Sequence, residues 1–298
     1  ALMRVRFWGV RGALATTEAT SQNVGGNTPC VEVRDEHDAL VVLDAGIGLY
    51  WLGRSLLAGP HGRGKGEVTI LLSHTHWDHI QGFPFFVPAY IPGNTLSIWG
   101  GVTPHLESIL EGQLNPVYSP IVSLTNMGAT IQVRQLEHQE GDIAVGDLRV
   151  RHAVLHNGSH ACVGYRIEEG DRALCYVAEV EHKDGVLDPA VVELARGADI
   201  LLHEAYFTNE ELADARAGRP RPGLAGPSAP TPQGHSSFEQ ATDLALAAGA
   251  KRLYYFYHHP DHDDSTIDEA VARERARVAE RGADLLVDAA REGTELTI

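Results

Sequence analysis

Cysteine is scarce in this chain of 298 residues. Only Cys30, Cys162 and Cys175 occur, and none of them forms a C-x-x-C pair with another. An odd number of widely spaced cysteines excludes a disulfide framework and a thiolate zinc site. We therefore expect three buried free thiols in a protein of a reducing compartment, the cytoplasm.

A long apolar run is also missing. No segment approaches the roughly 20 consecutive apolar residues that a helix needs to span a bilayer. The stretch 3–12 (MRVRFWGVRG) lacks the apolar core of a secretion signal and instead has the pattern of a β-strand. We expect a globular protein with no membrane partner.

Basic residues are in the minority, with 24 Lys and Arg against 40 Asp and Glu and a formal net charge of −16. Nucleic-acid affinity depends mainly on lysine and arginine side chains that neutralise phosphates, and no basic run compensates for the acidic excess. The charge therefore argues against nucleic acid and for a small-molecule substrate. It carries no information on assembly, so a homodimer stays open.

Short β-branched strands are abundant, and they fall into two similar halves. In each half several strand patterns precede a helical pattern, which predicts two packed sheets with helices outside. We expect one domain over residues 1–298. Segments near 83–101 and 208–234, rich in proline with aromatic residues or glycine, are predicted to form lid or rim loops around a site.

Three histidines and an aspartate crowd into the six positions His74-Thr75-His76-Trp77-Asp78-His79, directly after an apolar strand pattern. Residues i and i+2 at a strand end point to the same side, so His74 and His76 can bind one ion. Asp78 and His79, beyond the turn, can face a second ion. Imidazole favours zinc, and a carboxylate admits iron or manganese. The alternative is a polar loop with surface histidines, and the spacing argues against it.

This H-x-H-x-D-H motif resembles the hallmark of the metallo-β-lactamase-fold hydrolases. The segments FWGVRG, GGNTPCVEV, LDAGIGL, LLHEAYF and GHSSFEQA are similar to the phosphodiesterase-like and tRNA-processing-nuclease-like branch of that superfamily. The resemblance covers nearly the whole chain. It implies a four-layer αββα sandwich with a metal site at one edge of the two sheets.

The resemblance also implies a ligand set. His74 and His76 would share the first ion with a later histidine, for which we favour His156 and keep His160 as the alternative. Asp78 and His79 would bind the second ion, and the cofactor would be zinc, as two ions, with iron or manganese as alternatives.

Two positions depart from the family pattern. Glu179 stands where a bridging aspartate is expected, and we predict that it is a ligand. Tyr257 stands at the usual position of a histidine and is followed by His258. We predict His258 as the ligand if the strand shifts by one residue, and keep Tyr257 as the alternative.

Two supporting residues complete the predicted site. Asp44, at the end of a strand pattern, would orient a metal-binding histidine, or else cap a simple turn. His235 resembles the histidine that relatives place over the metals to protonate the leaving group, or else it only begins a helix.

The predicted reaction is metal-dependent hydrolysis by a metal-activated hydroxide, with Asp78 orienting the water and His235 donating the proton. We predict a phosphodiesterase acting on a small organic phosphate diester. One alternative is hydrolysis of a lactone, ester, amide or activated halide. Another is a metal-binding protein whose altered site no longer hydrolyses. A tRNA 3′-processing nuclease shares the motif, but the acidic charge argues against it.

Overall fold

The computed structural model describes residues 2–101, 104–119, 123–136, 140–157, 160–219 and 234–298, with the backbone alone at 140, 141, 156, 157 and 160. Within these residues the strands form two sheets of seven strands each. No helix in these ranges combines the length and the apolar character needed to cross a bilayer.

The amino-terminal half supplies the first sheet and the helices on its outer face. Its strands and helices are, in chain order, β1 (Arg4–Gly9), β2 (Cys30–Arg34), β3 (Leu40–Leu43), α1 (Gly48–Leu56), β4 (Glu67–Leu71), α2 (Trp77–Ile80), β5 (Thr95–Gly100), α3 (Leu106–Gly112) and β6 (Thr130–Gln135).

The carboxyl-terminal half supplies the second sheet and returns one strand to the first. Its elements are β7 (Glu140–Val145), β8 (Leu148–Asn157), β9 (His160–Glu169), β10 (Arg172–Val177), α4 (Pro189–Ala195), β11 (Ile200–Glu204), α5 (Asn209–Arg216), α6 (Phe238–Ala248), β12 (Arg252–Phe256), α7 (Asp264–Glu280), β13 (Leu286–Ala289) and β14 (Glu295–Thr297).

The two sheets have matching orders, β14-β1-β2-β3-β4-β5-β6 and β13-β12-β11-β10-β9-β8-β7. In the first sheet β3 to β6 run parallel, and in the second β10 to β13 run parallel. The carboxyl ends of parallel strands are where ligand sites form on such sheets. The chain segments that follow β4, β10, β11 and β12 therefore meet at one edge of the sandwich.

The main core lies between the sheets. Along β1, Val5 and Phe7 are fully buried, while Arg4 and Arg6, which alternate with them, are only half-buried, as the geometry of a strand requires. They pack with β-branched and aromatic residues of both sheets, among them Tyr165. A second cluster, with Leu49 and Leu52 of α1, covers the outer face of the first sheet.

Helices α4, α6 and α7 contact the strands of the second sheet. The four layers are helices, sheet, sheet and helices, which confirms the predicted αββα sandwich. The predicted rim segment 83–101 contains 3-10 turns at Phe83–Phe85 and Val87–Tyr90 and then β5. The other predicted rim, 208–234, begins with α5, and its residues 220–233 lie outside the described ranges.

The three cysteines are buried and form no disulfide in the part of the chain that the structure describes, as predicted.

Candidate metal centre

The histidine motif begins where β4 leaves the first sheet. Leu72 still donates a backbone hydrogen bond to Trp99 of β5, and the chain then turns into α2, which begins at Trp77. This turn buries His74 and His79 and leaves His76 exposed. The motif residues thus converge from a strand end and the first turn of a helix.

Two groups of ligand atoms share Glu179. One group is His74, His76 and Glu179, the other is Asp78, His79 and Glu179, and within each group the ligand atoms lie within 4.8 Å of one another. Nε2 of His74 and Nε2 of His79 lie 3.3 and 3.2 Å from the same atom, Oε1 of Glu179. Glu179 follows β10, so the second sheet supplies the carboxylate that the two groups share.

The donor set fits divalent transition-metal ions. Nε2 of His74 is buried and makes no hydrogen bond to the described residues, whereas buried polar atoms almost always have a partner. Imidazole nitrogens and carboxylate oxygens are the ligands that zinc, iron and manganese accept. Burial raises the pKa of Glu179, but His74 and His79 outweigh it and hold that pKa well below its usual value. Glu179 is thus a buried anion among imidazoles.

Asp44 supports the motif from behind. Its Oδ2 lies 2.8 Å from Nδ1 of His79 and accepts a hydrogen bond from the Tyr176 hydroxyl at 2.6 Å. Ser73 donates to Asp44 through both its backbone N–H and its hydroxyl. A carboxylate on Nδ1 of a histidine directs Nε2 toward a metal. Of the two roles expected for Asp44, these contacts favour that of an orienting group for His79, and this role stays a prediction.

Tyr257, and not His258, lies beside the motif. The Tyr257 hydroxyl donates to Oδ2 of Asp78 at 2.7 Å, and its ring stacks on His79 with centroids 5.3 Å apart. Nε2 of His258 instead lies 3.1 Å from the Ala290 carbonyl oxygen. The strand does not shift by the one residue that ligation by His258 needs, so of the two alternatives the contacts favour Tyr257.

The predicted ligands His156 and His160 lie on the β8–β9 hairpin. Their backbones pair with Ala161 and Asn157, respectively, and Val163 of β9 donates to the Ser73 carbonyl at 2.7 Å. The hairpin is therefore joined to the histidine motif. The side chains of both histidines lie outside the described residues, and the choice between them stays a prediction.

His235 lies at the entrance to α6, beside Glu204 and the ring of Tyr257. Its Nδ1 lies 3.5 Å from Oε1 of Glu204, and its ring stacks on Tyr206 at 4.3 Å and on Tyr257 at 5.9 Å. Burial lowers the pKa of His235, but the Glu204 carboxylate outweighs it, and the net shift is upward.

Sequence reasoning assigned no role to Glu204 or Tyr206. One signal was available in the sequence: Glu204 ends an apolar strand pattern, which predicts that its side chain is buried. A fully buried carboxylate needs hydrogen-bond donors around it. Glu204 receives them from the backbone N–H groups of Val180 and Ser236, both at 3.0 Å.

A third group of candidate ligand atoms, Asp35, His37 and Asp147, also lies within 4.8 Å. Asp35 is already satisfied, because its oxygens accept from the backbone N–H groups of His37, Ala39 and Asp147. This group joins two hairpins, β2–β3 and β7–β8, and needs no ion to do so.

The chain matches a known protein family and is similar to several known proteins. The family model described as beta-lactamase superfamily domain matches residues 40–259. The chain is 26% identical over 295 residues to ribonuclease Z of Halobacterium salinarum, covering 84% of this chain and 85% of that protein. It is 29% identical over 223 residues to ribonuclease Z of Exiguobacterium sibiricum, covering 62% and 69% of the two chains.

Solved structures show the same fold. The metallo-beta-lactamase fold protein YhfI of Bacillus subtilis has a TM-score of 0.66 at 18% identity and covers 100% of this chain and 99% of its own. The short form of human tRNase Z has a TM-score of 0.63 at 18% identity and covers 98% of both chains.

These relatives correct one expectation. The expectation of a small-molecule substrate, with nucleic acid an unlikely one, is wrong, because proteins named ribonuclease Z match most of the chain. The physical reason is that net charge is a sum over the whole surface, whereas the affinity for a polyanion depends on the local potential at the site. An excess of acidic residues elsewhere does not exclude an RNA substrate.

Proposed function

From the premise that the chain belongs to the beta-lactamase superfamily, in its nuclease and phosphodiesterase branch, and is a metal-dependent hydrolase, we propose that its substrates are phosphate diesters, RNA among them. The observation that carries this proposal is the shared oxygen of Glu179, which lies between two groups of ligand atoms. Paired metal positions of this kind suit the displacement of an oxygen at phosphorus, where both the entering and the leaving oxygen carry negative charge.

His74, His76 and Glu179 would hold one divalent ion, and Asp78, His79 and Glu179 the other. When bound, such ions lower the pKa of water and stabilise the charge that develops on the phosphate oxygens. We propose zinc for both positions, with iron and manganese as the alternatives that carboxylate ligands beside the imidazoles admit.

His235 is proposed as the proton donor to the leaving oxygen. Glu204 favours the protonated imidazole, and the stacked Tyr206 ring fixes its plane. A positioned acid of this kind contributes about 10²- to 10⁴-fold to the rate when the leaving group is a poor one. Asp78 is proposed to orient the attacking water from the other side.

The test compares three substrates on the metal-loaded protein: bis-p-nitrophenyl phosphate, a short RNA with an extended 3′ end, and a lactone. We expect turnover of both diesters and loss of that turnover in His76→Ala. His37→Ala is the matched control, because this histidine is 75% exposed on the β2–β3 turn, and we expect it to retain full activity. Turnover of the lactone without turnover of either diester would overturn the proposal.

The leaving group separates the role of His235 from that of the metals. p-Nitrophenolate is stable without a proton, whereas a ribose alkoxide is not. We therefore expect His235→Ala to slow RNA cleavage by about 10²-fold and to affect bis-p-nitrophenyl phosphate far less. An equal loss on both substrates would contradict the proton-donor role.

A further inference from the structure

The contact between His235 and its charged partner Glu204 is a long one. Nδ1 of His235 lies 3.5 Å from Oε1 of Glu204, beyond the usual length of an N–H···O hydrogen bond. The same oxygen accepts from the backbone N–H groups of Val180 and Ser236, both at 3.0 Å. Glu204 therefore attracts the protonated imidazole mainly by charge, and the place of His235 depends on how its backbone is held.

The backbone on the carboxyl-terminal side of His235 is held at two points. Ser236 donates its N–H to Glu204 and its hydroxyl to the carbonyl oxygen of Val180 at 2.6 Å. Ser237 then begins α6, where its side chain accepts from the backbone N–H of Gln240. This side of His235 is anchored to a helix end and to the segment that follows β10.

The backbone on the amino-terminal side of His235 is held by Glu181. Gly234 is buried, and its N–H donates to Oε2 of Glu181 at 3.2 Å. The φ of Gly234 is +89°, a left-handed conformation that glycine adopts without strain. Since glycine also leaves the chain more conformational freedom than any other residue, an acceptor for its N–H is what restricts this position.

The segment that holds His235 on both sides also carries a predicted metal ligand. Glu179, Val180 and Glu181 are consecutive, and Oε1 of Glu179 lies 3.3 and 3.2 Å from Nε2 atoms of two motif histidines. Val180 and Glu181 accept from the residues on either side of His235. Three adjacent residues thus connect the candidate metal centre to the candidate proton donor.

We propose that Glu181 is a positioning residue for the proton transfer. By accepting from the N–H of Gly234 it keeps His235 at the distance from the metal centre at which the imidazole reaches the leaving oxygen, as the bond from phosphorus to that oxygen breaks. Glu181 acts only through His235 and binds neither ion nor substrate. A general acid must lie within hydrogen-bond reach of its target, and a misplacement of about 1 Å costs up to about 10²-fold in rate. The inference rests on the proposed function, in which His235 is the acid.

The test measures kcat and KM of the zinc-loaded protein on the RNA with an extended 3′ end and on bis-p-nitrophenyl phosphate. Glu181→Ala removes the acceptor, and we expect kcat on RNA to fall about tenfold with KM unchanged. Turnover of bis-p-nitrophenyl phosphate should stay within about twofold, because p-nitrophenolate leaves without a proton. Glu181→Met, which keeps the length of the side chain without the acceptor, should behave as Glu181→Ala does. Glu181→Gln retains a side-chain oxygen for the N–H of Gly234 and should retain most of the RNA turnover.

A double variant shows whether Glu181 acts through His235. In a His235→Ala background the acid is already absent, so we expect Glu181→Ala to cause no further loss on RNA, whereas independent effects would multiply. Glu193→Ala is the matched control, because this glutamate is 70% exposed and pairs with Arg196 at the end of α4. It should leave the turnover of both substrates unchanged. Zinc content and thermal unfolding verify that each variant is loaded and folded.

The contrary outcomes are distinguishable. RNA turnover by both Glu181→Ala and Glu181→Met equal to that of the wild type would overturn the inference. An equal loss on both substrates, or a multiplied loss in the double variant, would also overturn it, because Glu181 would then act on the metal centre or the fold. A loss in Glu181→Gln as large as in Glu181→Ala would mean that the charge matters and not the accepted hydrogen bond, which overturns the positioning role. A wild-type protein that turns over neither diester would instead overturn the proposed function.

Discussion

A single buried carboxylate, that of Asp44, fixes the arrangement of several side chains of the metal centre. Asp44 is fully buried, contacts His79 and accepts hydrogen bonds from the hydroxyl groups of Ser73 and Tyr176. A buried anion with this many donors holds its neighbours in one arrangement, because each donor would otherwise be left without a partner. The centre is therefore already organised before an ion binds.

Asp44→Asn tests this role. The amide places a donor against groups that already donate, and it removes the charge beside His79. We expect the free energy of unfolding, measured with denaturant in excess chelator, to fall by about 3 kcal/mol, as for breaking a buried ion pair. Ser73→Ala removes one hydrogen bond from the same carboxylate and should cost about 1 kcal/mol. An Asp44→Asn protein as stable as the wild type would contradict the role.

At the scale of single residues, the sequence is most informative where the residues concerned are close together in it. His74, His76, Asp78 and His79 occupy one short segment, so their spacing alone predicts convergence. The choice between Tyr257 and His258 was open because it depends on a backbone dihedral of +57° that no pattern encodes. The contact of Glu204 with His235 was not predicted for a different reason, because it depends on a pairing between segments that are distant in sequence.

At the scale of the elements, the side chain of Glu292 joins two loops that are distant in sequence. Glu292, in the connection from β13 to β14, accepts hydrogen bonds from both the backbone N–H and the side-chain amide of Asn27, in the loop between β1 and β2. Burial raises the pKa of Glu292 to about 7, while Asn27 and Arg11 act in the opposite direction. This one side chain thus ties two loops together with a carboxyl group that titrates near neutral pH.

The sign of the resulting pH dependence follows from the raised pKa. Between the ordinary pKa of 4.5 and about 7 the folded protein keeps a proton on Glu292 that the unfolded chain releases. The contribution to stability is therefore complete below 4.5 and is lost as the pH rises through about 7. We expect denaturant unfolding of the wild type to show a fall in stability from pH 5 to pH 8 that is smaller in Glu292→Gln. The same fall in both proteins would contradict the assignment.

The predicted elements are those with strong periodicity and clear ends. Apolar or β-branched patterns in the sequence correspond to the strands β1 to β6 and β8 to β12 and to the helices α1, α4, α6 and α7. No pattern pointed to β14 or α3, which have only three and seven residues. Such short elements depend on a neighbour for stability, as β14 depends on β1, and local sequence carries little trace of them.

At the scale of the whole molecule, one prediction from composition failed and one from architecture held. A net charge of −16 argues against nucleic acid as a substrate, although proteins that match most of the chain are named ribonuclease Z. The order of strands and helices, in contrast, predicted two packed sheets correctly. Order along the chain constrains packing through short connections, whereas a total charge does not say where on the surface the charges lie.

The architecture makes the metal centre a junction between the two sheets. His74, His76, Asp78 and His79 follow β4 of the first sheet, and Glu179 follows β10 of the second. An ion that uses ligands from both sides binds the folded sandwich and not the unfolded chain. By linkage it stabilises the fold, by about 4 kcal/mol when its free concentration exceeds the dissociation constant a thousandfold.

Removal of metal should therefore weaken the entire fold and not only the site. We expect excess chelator to lower the thermal midpoint of the zinc-loaded wild type, as measured by calorimetry. The shift should largely disappear in Glu179→Gln, because the shared carboxylate oxygen is lost. His37→Ala, at the third group of candidate ligand atoms, should keep the full shift, because Asp35 there is satisfied by backbone donors. A midpoint that does not respond to chelator in the wild type would mean that the two sheets hold together without an ion at their common edge.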